Sequence, residues 1–196
     1  ETMVSVFDRS LTSTRSGWSA SRTDLVLICP GCRGPLVESR NSAIRCADCD
    51  IEYPVLAGLL DLRLRTDRYL SIEEERAKAV RLVEHDLRTG GDFSSMARFY
   101  YDITADVDDQ RRRRFLRHLQ AAQTRGALVL KSSGIPSGAS VIEVGCGSGG
   151  LLAAAADQGI EVVGVDIGLR WLVMSRKRLA DQSDSQPLVA AATEQL

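Results

Sequence analysis

The sequence lacks the features that would direct it to a membrane or a polyanion. No apolar run approaches the ~18 residues needed for a membrane span, and the N-terminal ETMVSVFDRSLTSTRSGWS has no apolar core of the kind a secretory signal carries. Neither sign of charge is in excess: 25 Lys and Arg against 26 Asp and Glu leave a net charge of -1. That balance gives no global reason to expect nucleic acid, an anionic membrane or an acidic substrate, so any basic patch has to be local. Histidine is scarce, with His85 and His118 as the two. These absences point to a cytoplasmic protein without a membrane span. The 196 residues, 44% hydrophobic and 26% charged, suffice for one domain plus a small module. Residues 1–22, rich in Ser, Thr and Arg, read as a mobile lead-in.

Cysteine is concentrated. Cys29 and Cys32 form CPGC, Cys46 and Cys49 form CADC, and Cys146 stands apart. Two residues between paired cysteines let a tight turn aim both sulfurs at one point, and Pro30, Gly31 and Gly34 supply the turn chemistry. Two such knuckles joined by a short hairpin complete a tetrahedral four-sulfur shell suited to Zn2+. Two local disulfides are disfavoured by a reducing compartment, and a redox pair would need one CxxC near a βαβ unit. His85 lies too far along the chain to join the set, and His118 sits in a basic helix.

The stretch LVLICPGCRGPLVESRNSAIRCADCDIEYPVLAGLLDL resembles the short zinc-ribbon family typified by the small activator subunit of several eukaryotic methyltransferases. The resemblance rests on the knuckle running from Cys29 to Leu36, on Cys46 and Cys49, and on Tyr53-Pro54-Val55 with Gly58-Leu59-Leu60. It implies a β zinc ribbon over about residues 23–65 with Cys29, Cys32, Cys46 and Cys49 as ligands. Structural zinc supplies folding energy that so small a module cannot obtain from burial.

Residues 66–132 read as a helical linker or lid. Ser71 and Glu74 form a capping box that opens a helix running to about Thr89, with Ala79, Val80, Leu82, Val83 and Leu87 on its apolar face. A second helix is expected to open near Asp106, Asp108 and Asp109, where carboxylates suit the positive end of the helix dipole, and to continue to about residue 130. Its run Arg111-Arg112-Arg113-Arg114 invites an RNA reading. Four consecutive residues point around more than one full turn, however, so a solvated surface is favoured over RNA contact. The aromatic cluster Phe93, Phe99, Tyr100 and Tyr101 reads as core.

The sequence VIEVGCGSGG, 141–150, is a short β-branched run emptying into a glycine-rich loop. It reads as a buried parallel strand, followed by a helix over 151–158, a second strand over 160–165 and Asp166 at its tip. The glycines alone fit either a dinucleotide loop or another nucleoside ligand. Glu143 discriminates, because a carboxylate there would repel a pyrophosphate but suits a ligand bearing an ammonium and a sulfonium. S-adenosylmethionine has both and no phosphate. Asp166 is placed to accept hydrogen bonds from ribose hydroxyls, a role equally suited to NAD. Cys146 reads as a small filler beneath the loop, since no basic neighbour in sequence would lower its pKa. Trp171 and Met174 read as core.

With Glu143, Gly145, Gly147, Gly149 and Asp166, this half resembles the class I S-adenosylmethionine-dependent methyltransferases, and the likeness continues through GVDIGLRWLVMSRKRLADQ and PLVAAATEQL. It implies an α/β fold with a Rossmann-like doubly wound sheet over 133–196, incomplete with about three strands. The implied cofactor site comprises Glu143, Gly145, Cys146, Gly147, Gly149, Asp166, Ile167 and Ala192. Ala192, followed by Thr193 and Glu194, stands where the family often has an Asp contacting the adenine amino group. The acceptor half of such a domain is absent from these residues, so an exposed sheet edge at the first or third strand, open to a partner chain, is expected. The leading expectation is a methyltransferase acting on a small molecule, a lipid or sugar intermediate, or RNA. A zinc-ribbon group that methylates ribosomal RNA guanine keeps RNA in view, although its ribbons tend to carry His in place of the last cysteine. The alternative is a non-catalytic ribbon that binds or activates a separate subunit.

Overall fold

A computed structural model describes residues 26–39, 43–65, 69–105, 107–182 and 187–192. The expected lead-in 1–22, Asp106, Thr193 and Glu194 lie outside the described residues. The first strands, β1 (Leu36–Glu38), β2 (Ile44–Cys46) and β3 (Glu52–Tyr53), form an antiparallel sheet in that order. A hairpin follows, β4 (Val55–Leu56) and β5 (Leu59–Asp61). Its two turn residues, Ala57 and Gly58, have φ of 53° and 74°. Positive φ at both central positions is what a two-residue turn matched to strand twist requires.

The hairpin then leaves the first sheet. β5 runs parallel to β8 (Leu188–Ala190), with Leu60 opposite Val189 and Asp61 opposite Ala190. With β7 (Glu161–Asp166) and β6 (Ser140–Val144), the order of the five-stranded sheet is β4-β5-β8-β7-β6. Residues 133–196 thus contribute three strands, and two more come from the segment expected to belong to the ribbon. All three residues of β5 are buried, the mark of a strand covered on both faces. An open edge at the third strand is therefore corrected, because β5 occupies the free side of β8.

The first strand also departs from expectation. β6 was expected to be buried, yet Ile142 and Val144 are 49% and 50% exposed. Among the described residues β7 is its only partner, and alternation of side chains puts these two on one face, which the described residues leave half-exposed.

The helix α1 (Ile72–Thr89) opens with the expected capping box: the Glu74 N–H donates to Ser71 Oγ at 3.1 Å, and the Ser71 N–H to Glu74 Oε2 at 2.7 Å. Its buried face holds Ala79, Leu82, Val83 and also Glu75, whereas Leu87 is 66% exposed. The aromatic segment is itself a helix, α2 (Phe93–Asp102), capped by Asp92. The single second helix expected is two, α3 (Asp109–Gln120), capped by Asp108, and α4 (Ala122–Ser133), divided at Ala121. The division lets α4 lie directly on α5 (Gly150–Ala156). A Cβ on Gly126 would sit 2.6 Å from Leu151 Cα, and one on Gly150 would sit 2.5 Å from the Ala122 Cβ. The last helix is α6 (Leu169–Ala180).

Two apolar clusters flank the sheet. One gathers Leu59 of β5 with buried residues of the helices, among them Leu82, Leu152 and Leu172. The other joins Leu60, Val163, Val165 and Val189 to Cys29, Cys46 and Tyr53, so the cysteine module is packed onto the sheet. Overpacking a close-packed contact typically destabilises by about 1–3 kcal/mol. Gly126→Val should therefore lower stability by about 2 kcal/mol, read as a lower denaturant midpoint at unchanged slope. An unaltered midpoint would show that α4 and α5 are not held at backbone distance.

Candidate cofactor and metal sites

The four cysteines expected to share a metal converge. The Sγ atoms of Cys29, Cys32, Cys46 and Cys49 all lie within 4.8 Å of one another, with Cys29 to Cys49 at 3.7 Å and Cys32 to Cys46 at 3.4 Å. Four sulfurs at ~2.3 Å from one tetrahedral zinc would be roughly 3.8 Å apart, so the set fits that ion. The turns are built for it. Arg33 and Asp50, just past each knuckle, have φ of 65° and 59°, and the Gly31 and Gly34 amides donate to Cys29 Sγ and Cys32 Sγ at 3.3 and 3.4 Å. The Tyr53 hydroxyl lies 3.0 Å from Cys29 Sγ. Burial opposes ionisation of Cys29, but the Tyr53 hydroxyl and nearby amides outweigh it and hold the thiol at about 6.

The glycine loop turns sharply between β6 and α5. Gly145, Gly147 and Gly149 have φ of 76°, 53° and 72°, values that non-glycine residues seldom adopt. A Cβ on Gly145 or Gly147 would meet no atom within 4 Å, so at those two positions bare backbone faces open space. Asp166 at the tip of β7 fastens this loop. Its Oδ2 accepts from the Gly147 N–H at 2.8 Å and its Oδ1 from the Gly168 N–H at 2.7 Å. One carboxylate thus holds an amide of the glycine turn and an amide of the loop after β7. Glu143 is half-buried, and its Oε2 is buried with no hydrogen-bond partner. Burial first, and then the negative Asp166, push its carboxyl from 4.5 up to about 7.

Cys146 is buried, and its thiol is pushed upward by burial and by the charges of Asp166 and Glu143. It is thus not a thiolate nucleophile. Ile167 is half-buried beyond Asp166, and Ala192 is buried just past β8.

A cavity of about 640 Å3 opens over this loop. Glu143 and Gly147 form part of its lining, and Tyr100, Tyr101, Phe115 and Trp171 supply aromatic walls from α2, α3 and α6. Phe93, Tyr100 and Tyr101 lie in the core as expected, with Phe99 and Trp171 packed against it, and Tyr100, Tyr101 and Trp171 also border the cavity. Tyr100 and Tyr101 are indeed buried, and burial holds both phenols above their ordinary range, so neither is a base at neutral pH. Phe99 instead stacks on His85 with centroids 4.0 Å apart, and Met174 is fully buried.

Sequence reasoning also missed Arg178. This buried side chain donates from Nε to the Ser148 carbonyl at 2.8 Å and from Nη2 to the Leu119 carbonyl at 2.7 Å. It thereby ties the glycine loop to the end of α3. The arginine run on α3 is divided in its partners, Arg111 pairing with Asp108 and Arg112 with Asp102, and it forms no single stripe.

An α/β sheet with an acid near the end of β6, a glycine loop and an acid at the end of β7 is the arrangement of a Rossmann-like fold. The comparisons with known proteins narrow that class. A family model described as a methyltransferase domain matches residues 142–196. No curated protein matches the chain. Among solved structures, the chain is similar to phosphoethanolamine N-methyltransferase 2 of Haemonchus contortus in complex with S-adenosyl-L-methionine. The identity is 27%, over 35% of this chain and 16% of that one, with a TM-score of 0.31. It is also similar to magnesium protoporphyrin IX methyltransferase of Synechocystis PCC 6803 with bound S-adenosylmethionine. There the identity is 16%, over 65% of this chain and 56% of that one, with a TM-score of 0.34. The chain spans less than two thirds of either structure. The family match thus points to a methyltransferase domain over residues 142–196. Among the described residues no helix is long and apolar enough to cross a membrane.

Desolvation of Glu143 makes stability depend on pH. A carboxyl whose folded pKa lies above its unfolded value gives stability that is complete below the unfolded pKa and is lost as pH rises through the folded one. For Glu143 that window runs from 4.5 to about 7. Glu143→Gln should therefore melt like the parent near the lower limit and at a higher temperature above the upper one. A melting difference that does not change with pH would mean that Glu143 is not desolvated.

Proposed function

We propose that this chain carries the cofactor-binding half of a class I S-adenosylmethionine-dependent methyltransferase, with a zinc ribbon built on Cys29, Cys32, Cys46 and Cys49. The observation that carries the reading is Glu143: a carboxylate oxygen buried without a partner beside a glycine loop whose backbone is bare. An ammonium group supplies the missing partner, whereas a pyrophosphate would meet two carboxylates, Glu143 and Asp166.

The residues divide the work. Glu143 holds the amino group of the methionine part, Gly145, Cys146 and Gly147 let the cofactor approach the backbone, and Asp166 accepts from the ribose hydroxyls while keeping the loop closed. Ile167 and Ala192 flank the base, with Ala192 contributing no polar side chain to it. The aromatic walls exclude water from the methyl group. The cofactor, when bound, supplies a methyl activated by a positive sulfur. Transfer of such a group rests largely on alignment with the acceptor, consistent with phenols held out of the base range. Zinc stabilises the ribbon, and through it the side of the sheet formed by β4 and β5, without taking part in the chemistry.

Isothermal titration with S-adenosylmethionine tests the cofactor site. Micromolar binding is expected in the parent and should be lost in Glu143→Ala and in Asp166→Ala. Because the cationic ligand needs ionised Glu143, affinity should rise about fivefold from pH 6 to 7.5, then fall as the ligand's own α-amino group deprotonates near 8. Glu143→Gln should not show the rise. A well-folded parent that binds nothing would instead favour a ribbon acting as a binding module. Metal analysis of freshly reduced protein should give one zinc per chain, and well under one equivalent would sink the four-sulfur site.

A further inference from the structure

A buried ion network joins the cysteine module to the loop after β7. Asp61, the last residue of β5, and Arg63 have fully buried side chains. Arg63 Nε and Nη2 donate to Asp61 Oδ1 and Oδ2 at 2.7 and 2.8 Å. Asp61 Oδ2 also accepts from Nε and Nη2 of Arg76 on α1, at 3.1 and 3.0 Å. The third nitrogen of the Arg63 fork, Nη1, donates to the Ile167 carbonyl at 2.9 Å. Ile167 lies between Asp166 and Gly168, the pair whose contact closes the cofactor loop. Glu75, the neighbour of Arg76, pairs with the Arg170 guanidinium and accepts from the Arg170 N–H at 3.3 Å. It serves the start of α6, where Gly168 provides no side-chain cap. The loop that would hold the nucleoside is thus gripped at a carbonyl by Arg63 and at an amide by Glu75.

The grip connects back to the cysteines. The Tyr53 hydroxyl touches Cys29 Sγ, its ring shares a buried cluster with Leu60 and Leu62, and the next residue's carbonyl, that of Pro54, accepts from the Asp61 N–H at 3.0 Å. A fully buried ion pair is poor ground for net stability, because desolvation offsets attraction. What a planar fork does supply is fixed direction.

We propose that Arg63 is a positioning residue that sets the cofactor affinity of the loop at Asp166 and Ile167, and that metal in the cysteine cluster and S-adenosylmethionine bind with positive coupling through it. The inference rests on the zinc and cofactor readings given above.

The test is titration of S-adenosylmethionine into zinc-loaded and chelator-stripped full chain, parent and Arg63→Met, with Trp171 emission following the loop, since that ring packs at Gly168. Stripping the metal should weaken binding by the parent about tenfold, within the usual range of coupling between two sites. Arg63→Met, still holding one zinc, should bind about tenfold more weakly than the parent and lose little more on stripping. Parent-like affinity in zinc-loaded Arg63→Met overturns the proposal.

Arg63→Met leaves Asp61 with Arg76 alone, and collapse of the fold would imitate lost affinity. A second arm therefore uses the parent only: zinc affinity by competition with a chromophoric chelator, with and without saturating S-adenosylmethionine. Reciprocity of linkage requires the same tenfold tightening, and unchanged zinc affinity overturns the coupling. A zinc-loaded parent that binds no S-adenosylmethionine also overturns it, and is told apart as a failure of the cofactor reading because it appears in the first titration.

Discussion

The parallel pairing of β5 with β8 is the contact on which the arrangement depends. It is short, with two residue pairs extended by the Leu62 N–H donating to the Ala190 carbonyl at 2.8 Å. It nevertheless inserts the end of the cysteine module into the sheet. Leu59 then faces the helices and Leu60 the cysteines, so two cores share one strand. A module this small has little apolar area of its own to bury. Docked on Val163, Val165 and Val189, it gains a wall it could not build. The same insertion carries Asp61 and Arg63 to the tip of β7 and the loop that follows it.

The loop itself is organised by negative charge. Asp166 binds two backbone amides and so joins the glycine turn to the start of α6. Glu143, opposite, has no such compensation and is raised by burial and by Asp166. Two carboxylates this near oppose each other's charge, an arrangement more useful for binding than for folding. Arg178 sits close beneath the loop and directs its donors to the carbonyls of Ser148 and Leu119.

Local patterns made part of this legible. The CxxC pairs, the capping box at Ser71, and the strand, glycine loop and acid of residues 141–166 each declare themselves within a few residues, because turn chemistry, caps and parallel strands have local signatures. What escaped depends on distant partners. The division of α3 from α4 reflects Gly126 against Leu151, and the exposure of Ile142 and Val144 reflects a face of β6 that the described residues leave half-exposed. Tyr100, Tyr101 and Trp171 have the spacing of core residues, and two of them are buried, but a cavity wall looks the same in sequence. Arg63 meets Ile167 across 104 residues, and Arg178 meets Leu119 across 59. No window of sequence contains both ends of either contact.

These long contacts explain why arginine, and not lysine, occupies the junctions. Arg63 must reach both oxygens of Asp61 and a carbonyl on another segment from one buried position, which takes three nitrogens in fixed directions. An ammonium is a point donor on a flexible stem, and once desolvated it loses its proton far more readily than a guanidinium. Arg178 illustrates the margin: burial lowers it to about 10, and it remains charged at neutral pH. A lysine shifted as far would titrate near the physiological range and release both carbonyls. The chain thus joins its segments with groups that combine several directed bonds and a charge that survives burial.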